Sequence, residues 1–206
     1  MSRHFWATIG LCLMGFAATF LWQQSKAAPP KREVVVTPTR LAIPAGAQTA
    51  TFAGGCFWGV EETFRMTQGV INTQAGYTGG TLENPTYEAV HRDKTGHVEA
   101  VEVLYDPQKV TYVQLLTVFF KSHDGTHPGK NDVAMGAPYR SFVFCKDVAQ
   151  EKAAQEMIRH LATSKAYKGA PRPLMTQVRL AQTFWPAEEY HQRYYEKRGA
   201  KSVCSL

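Results

Sequence analysis

At 206 residues, 44% of them hydrophobic and 12% aromatic, the chain has material for one domain with a substantial core plus extensions. Its four cysteines, Cys12, Cys56, Cys145 and Cys204, are too few and too scattered for a disulfide framework or a zinc site. The formal charge of +6 comes from 23 basic and 17 acidic residues; two of the basic ones, Arg3 and Lys26, lie in the leader, and the rest form no basic stripe, which excludes nucleic-acid binding as a reading.

Phe5 to Trp22 is an uncharged, largely apolar run behind Arg3 and His4. It suits either a marginal membrane anchor or the apolar region of a secretory signal, and Ser25-Lys26-Ala27 offers small residues for cleavage. A signal peptide or N-terminal anchor is therefore expected over 1–27. The membrane would be touched by that segment alone. The folded part would be exported to an oxidising compartment, the periplasm or the periplasmic face of the inner membrane. Cys12 follows Leu11, not a small residue, which argues against lipid attachment. Residues 28–47 carry Pro29, Pro30, Pro38 and Pro44 and read as a Pro-rich linker or a strap, so the domain is placed at 48–206.

Thr49 to Phe52 reads as a short strand. Gly54-Gly55-Cys56 follows, and Val60 to Thr67 has helical spacing with Glu61 and Glu62 in an early turn. Cys56 then sits at or just before a helix N-terminus, where unpaired N–H groups and the helix dipole favour a thiolate. The glycines allow a tight bend and keep bulk from the sulfur. An ordinary buried cysteine is the alternative. Phe57 and Trp58 could be core, or could wall an apolar pocket.

Val70 to Tyr77 is a plausible strand, and Asn84 to Val90 a turn entering a short helix, with Tyr87 on a loop at its start. In Val98 to Tyr105, alternation puts Glu99, Val101, Val103 and Tyr105 on one face and Ala100, Glu102 and Leu104 on the other, so the buried face is left open. If Glu99 heads the inward row its pKa rises and it becomes a proton donor; a solvated strand-end glutamate is the alternative that alternation alone favours. Thr111 to Lys121 presents Tyr112, Leu115, Leu116, Phe119 and Phe120 as the clearest amphipathic helix. His123 to Pro138 is a long Gly/Pro/Asp-rich connection of a kind that is usually functional.

Phe142 to Cys145 is an apolar strand, with Cys145 as a small core residue. Asp147 caps the next helix, whose buried stripe is Ala154, Met157, Ile158 and Leu161. Thr176 to Thr183 alternates as a strand. Pro186 suits the first turn of a last helix that includes Glu188, Glu189, Tyr190, His191 and Gln192. Arg198 to Leu206 is a flexible tail carrying Cys204.

Gly55-Cys56-Phe57-Trp58-Gly59 resembles the signature of the A-type peptide methionine sulfoxide reductases. Four further segments match in order: Asn84 to Val90, Gly96-His97-Val98-Glu99, Tyr139-Arg140-Ser141 and Phe184 to Gln192. The resemblance implies an α+β fold, a two-layer sandwich whose mixed central sheet is covered by helices around a ferredoxin-like core. It implies reduction of the S epimer of methionine sulfoxide, free or in proteins. Cys56 would be the nucleophile and Glu99 the acid, which reverses the ranking from alternation. Tyr87 and Tyr139 would hydrogen-bond the sulfoxide oxygen, Phe57 and Trp58 would hold the methyl group, and Asp132 would join the substrate site. Asn131-Asp132-Val133 is followed by Ala134 to Pro138, a longer approach to the tyrosine than usual, without the glutamine that normally precedes it. Cys204 matches a recycling cysteine and would resolve a Cys56 sulfenic acid; with the chain ending two residues later, a single resolving step is expected.

No metal, flavin or nicotinamide is implied, and the reductant would be an external, thioredoxin-like dithiol. The partners would then be oxidised protein or peptide substrates and that reductant, with the enzyme a monomer. Two rivals stand beside this reading. A papain-like hydrolase would use Cys56 with His97 or His191 as base. An exported binding module would hold methionine-rich segments on its aromatic residues without chemistry.

Overall fold

The computed structural model describes residues 39–92, 95–126, 137–168, 170 and 172–200. The leader, most of the linker, Asp132 and Cys204 lie outside the described residues.

Four strands and two helices form the centre. Strand β1 (Gln48–Ala53) leads into α1 (Phe57–Arg65), then β2 (Val70–Thr78), the short α2 (Tyr87–His91), β3 (Val98–Tyr105) and α3 (Tyr112–Ser122). A 3-10 turn (Ala137–Tyr139) precedes β4 (Phe142–Cys145), α4 (Val148–Thr163), the short α5 (Lys165–Lys168), β5 (Gln177–Leu180), β6 (Trp185–Pro186) and α6 (Tyr194–Lys197). The sheet runs β5-β4-β1-β3-β2-β6. β4 and β5 pair in parallel and the other neighbours are antiparallel, so the sheet is mixed. Its inner four strands, ordered β4-β1-β3-β2 with helices after β1 and β3, are the ferredoxin-like core.

Burial explains the arrangement of β3, which is buried along its whole length. Val101, Val103 and Tyr105 join the main core with Phe52 of β1, Phe64 of α1 and Leu115, Leu116 and Phe119 of α3. Each such side chain removed from water stabilises by roughly 1.5–3 kcal/mol. The Phe52 ring stacks on Phe64 at 4.9 Å and on Phe119 at 5.0 Å, which fastens both helices to the central strand. Val98 and Ala100 belong to a second cluster with Ala53, Phe142, Phe144 and Phe184. On that side Arg40 pairs with the buried Glu102, and Gln74 donates to the Thr39 carbonyl, so residues 39 and 40 lie over the sheet. Glu99 is thus on the inward row headed towards α1.

Two elements differ from the sequence-based expectation. The first helix begins at Phe57 and ends at Arg65, three residues earlier than Val60, and places Cys56 at its N-cap. The expected last helix over Pro186 to Gln192 does not form: Trp185 and Pro186 pair with Tyr77 and Gly76 as an edge strand, residues 189–193 turn, and helix resumes only at Tyr194. Proline is tolerated on an edge because it has no N–H to leave unpaired. Three polar side chains draw the following turn inward. Gln192 accepts from the Ala75 N–H and donates to the Ala75 and Ala187 carbonyls, and Glu188 accepts from the Tyr77 hydroxyl. The Arg193 N–H donates to Glu61, with Arg193 at φ 50. Gly76 has no alternative here, since a Cβ would lie 2.4 Å from the Trp185 carbonyl oxygen.

Glu61, on α1, is buried rather than facing solvent in an early turn, and accepts from Thr73 Oγ1 at 3.2 Å and from the Arg193 N–H at 2.8 Å. Burial pushes its carboxyl up to about 7 against the opposing pull of those bonds. A carboxyl whose folded pKa exceeds its unfolded value contributes stability that is complete below the unfolded value and is lost as pH climbs through about 7. Wild type should therefore lose roughly 1–3 kcal/mol of unfolding free energy between about pH 5 and about pH 8. Glu61→Gln can keep both hydrogen bonds without a charge and should flatten that slope, as urea unfolding across the range will show.

Candidate active site

The site is built at the step from β1 into α1. Gly55 adopts φ 87, a left-handed turn that favours glycine, and swings the chain so that Cys56 caps α1 in extended conformation. Cys56 is half-buried, stands outside any disulfide, and makes no side-chain capping bond.

The first turn of α1 leaves N–H groups without helical partners. That of Phe57 donates to Glu99 Oε2 at 2.9 Å. The acid on β3 is thereby tied to the residue that follows the cysteine. Burial raises the Glu99 pKa despite the opposing bonds from His91 and Phe57. His91 Nε2 stands 3.3 Å from Glu99 Oε1.

Tyr87 is the first residue of α2, not a loop residue, and Thr86 caps that helix. Tyr139 ends the 3-10 turn before β4. Both phenols are pushed up by burial and then by the negative charges of Glu99 and Cys56, so both remain O–H donors beside the cysteine. His91 Nε2 is 2.8 Å from the Tyr139 hydroxyl, and its Nδ1 is 2.9 Å from the Tyr87 carbonyl.

Phe57 is fully buried, with its ring 5.9 Å from Tyr77 and 5.0 Å from His191, and forms the floor. Trp58 is half-buried; its indole N–H donates to His191 Nδ1 at 3.0 Å and its ring stacks on Tyr194 at 3.6 Å. The C-terminal turn thus supplies one wall. Glu188 fixes it in place, accepting from the Tyr77 hydroxyl and from the Tyr87 N–H, both at 2.9 Å.

Six of the eight residues singled out from sequence therefore converge: Cys56, Phe57, Trp58, Tyr87, Glu99 and Tyr139. Asp132 and Cys204 lie outside the described residues. Three contributors escaped the sequence reading. His91 carried one signal, its position one helical turn after Tyr87. Glu188 and Glu61 carried none, since nothing in their local pattern distinguishes them from solvated helix glutamates. Among the described residues no group of three or more histidine, cysteine, aspartate and glutamate side chains is placed to hold a metal ion, and no helix is long and apolar enough to cross a membrane.

Neither histidine proposed for a hydrolase is presented as a base. His97 accepts from the Gly80 N–H and donates to the Leu82 carbonyl. His191 accepts from Trp58 through Nδ1, and burial lowers its pKa to about 4.

Comparison with known proteins identifies the family. The family model described as peptide methionine sulfoxide reductase matches residues 48–206. The peptide methionine sulfoxide reductase MsrA of Acidobacterium capsulatum is 49% identical over 157 residues, 76% of this chain and 98% of its own length. Methionine sulfoxide reductase A of Corynebacterium diphtheriae superposes with a TM-score of 0.69 at 34% identity, over 76% of this chain and 77% of that one. Reduced Mxr1 from Saccharomyces cerevisiae superposes with a TM-score of 0.72 at 26% identity, over 82% and 96% respectively. The structure of Mxr1 in complex with Trx2, at 22% identity and a TM-score of 0.53 over 78% and 93%, shares the fold. On this sequence match, carried through its whole catalytic region, the chain belongs to the peptide methionine sulfoxide reductase family and is a reductase of that kind.

Proposed function

We propose that the enzyme reduces the S epimer of methionine sulfoxide, in proteins and free, through a sulfenic acid on Cys56. The observation that carries the proposal is the buried Glu99 carboxyl, raised in pKa and bonded to the N–H beside Cys56, with the Tyr87 and Tyr139 hydroxyls next to it.

The Cys56 thiolate attacks the sulfoxide sulfur. As the bond from that sulfur to oxygen weakens, Glu99 gives its proton to the oxygen, and the two phenols stabilise the charge that develops there. The bond formed between the two sulfurs then breaks, its electron pair going to the methionine sulfur as the hydroxyl oxygen passes to the cysteine sulfur, so that Cys56 becomes Cys–SOH and methionine leaves. Cysteine sulfur is oxidised by two electrons, methionine sulfur is reduced by two, and one proton is consumed. Phe57 and Trp58 hold the terminal methyl group by apolar contact and so present one face of the chiral sulfur, with Asp132 completing the substrate site. The Cys204 thiol then condenses with the sulfenic acid, forming a disulfide and water. An external dithiol reduces that disulfide by exchange. The chemistry suits a thioredoxin-like protein, the class with which the yeast neighbour was crystallised. The apolar run Phe5 to Trp22 supports export of the domain to the periplasm, free or anchored there.

Glu99→Gln keeps an acceptor for the Phe57 N–H but has no proton to give. It should slow single-turnover release of methionine from a methionine sulfoxide peptide by about 100-fold or more, and a rate near wild type would reject Glu99 as the acid. Cys56→Ser should remove all loss of the oxygen mass from the peptide. Cys204→Ser should still yield one methionine per enzyme in a rapid first turnover, but recycle far more slowly with thioredoxin. Recycling at the wild-type rate would remove Cys204 from the resolving role.

A further inference from the structure

His91 ends α2 one turn after Tyr87, and is the side chain other than the reacting groups that meets the acid. Its Nδ1 faces the Tyr87 carbonyl, which can only accept, so Nδ1 carries a hydrogen. This fixes the tautomer. In the neutral ring Nε2 is a lone pair, and in the imidazolium Nε2 carries the second proton. Nε2 is hydrogen-bonded to the Tyr139 hydroxyl at 2.8 Å and lies 3.3 Å from Glu99 Oε1. A carboxyl and a ring nitrogen facing each other require one proton between them, carried by one partner or the other. The side chain of Glu99 is 1% exposed and that of His91 is 25% exposed, so solvent reaches the histidine and not the acid.

We propose that Glu99 and His91 share a single proton, and that His91 takes up from solvent the proton that reloads the acid after each turnover. His91 acts through Glu99 as a positioning residue, and the proposal rests on Glu99 being the acid. When Glu99 gives its proton to the sulfoxide oxygen it is left as a carboxylate. His91, neutral while Glu99 holds the shared proton, then takes a proton from solvent on Nε2 and passes it to Oε1, the N–H electron pair staying on nitrogen and the ring returning to neutral.

The pair binds its one proton more tightly than Glu99 alone, because the binding constants of the two positions add. The groups around His91 keep the titration simple. The hydrogen bond to Glu99 raises its pKa, as do the Tyr87 carbonyl and the charges of Glu99 and Glu88, while burial opposes them. His191, across from it on the C-terminal turn, is neutral in the working range, and Tyr87 and Tyr139 stay protonated. The shared proton governs the alkaline limb of the rate profile.

Single-turnover reduction of a methionine sulfoxide peptide should be followed from about pH 5.5 to about pH 9.5. His91→Gln places an amide where Nε2 stands but cannot hold the shared proton. Its alkaline midpoint should fall by about one pH unit, slowing reduction about tenfold at pH ~8.5 against less than about threefold at pH ~6. A profile that superposes on wild type overturns the proposal. Independently of that variant, the ring nitrogens of His91 in wild-type protein, observed by nitrogen NMR, should titrate above the ordinary value of about 6.5 and at the alkaline kinetic midpoint. Glu99→Gln should return that titration towards about 6.5. A His91 midpoint at or below that value, or one unmoved by Glu99→Gln, also overturns it. An active Glu99→Gln would sink the assignment of the acid itself. An inactive Glu99→Gln beside an unshifted His91→Gln profile would sink the shared proton alone.

Discussion

The site depends on one hydrogen bond, from the Phe57 backbone N–H to the Glu99 carboxyl. It joins the start of a helix to the middle strand region of the sheet, and it brings a buried carboxyl to the residue next to Cys56. A hydrogen bond to a charged or ionisable group of this kind is worth about 1.5–3 kcal/mol, and leaving the buried carboxyl without it would cost at least as much. The opposing demands on Glu99 also meet here. Burial favours the protonated form, while the N–H and the histidine favour the carboxylate.

The rest of the fold keeps that bond in place. Phe52 locks α1 and α3 to β1 by stacking, which sets where α1 begins. The C-terminal turn then closes the other side through polar side chains rather than apolar bulk: Glu188 spans β2 and α2, Gln192 pairs with the β2 backbone as a further strand would, and Glu61 receives the Arg193 N–H. Buried polar bonds are directional, so this segment has little freedom to shift. Trp58, held by His191 and Tyr194, is fixed by the same turn.

Much of this was legible in the residues. The amphipathic spacing of Tyr112 to Phe120 gave α3 within a residue, and glycines followed by a cysteine and a helical pattern placed Cys56 at the start of α1. The sense of β3 was not legible by alternation, because both of its faces are buried and each carries a glutamate; only the family resemblance separated Glu99 from Glu102. The C-terminal segment misled for a physical reason. Pro186 and the residues after it have good local helix character, but Gln192 and Glu188 find partners on β2 and α2 that no local pattern encodes. His91 was overlooked because its significance lies in a contact with a strand that is distant in the chain, although its spacing from Tyr87 already put the two on one helix face.

The tether on Glu99 also bears on how this protein can change over generations. It is made by main chain, so residue 57 can drift among side chains without loosening the acid. The one amino acid that would cut it is proline, which lacks the hydrogen. Elsewhere proline is the favoured choice at the first position of a helix, since that N–H is usually surplus. Here the surplus has been claimed, and an inheritance rule that holds for most helices is inverted at this one.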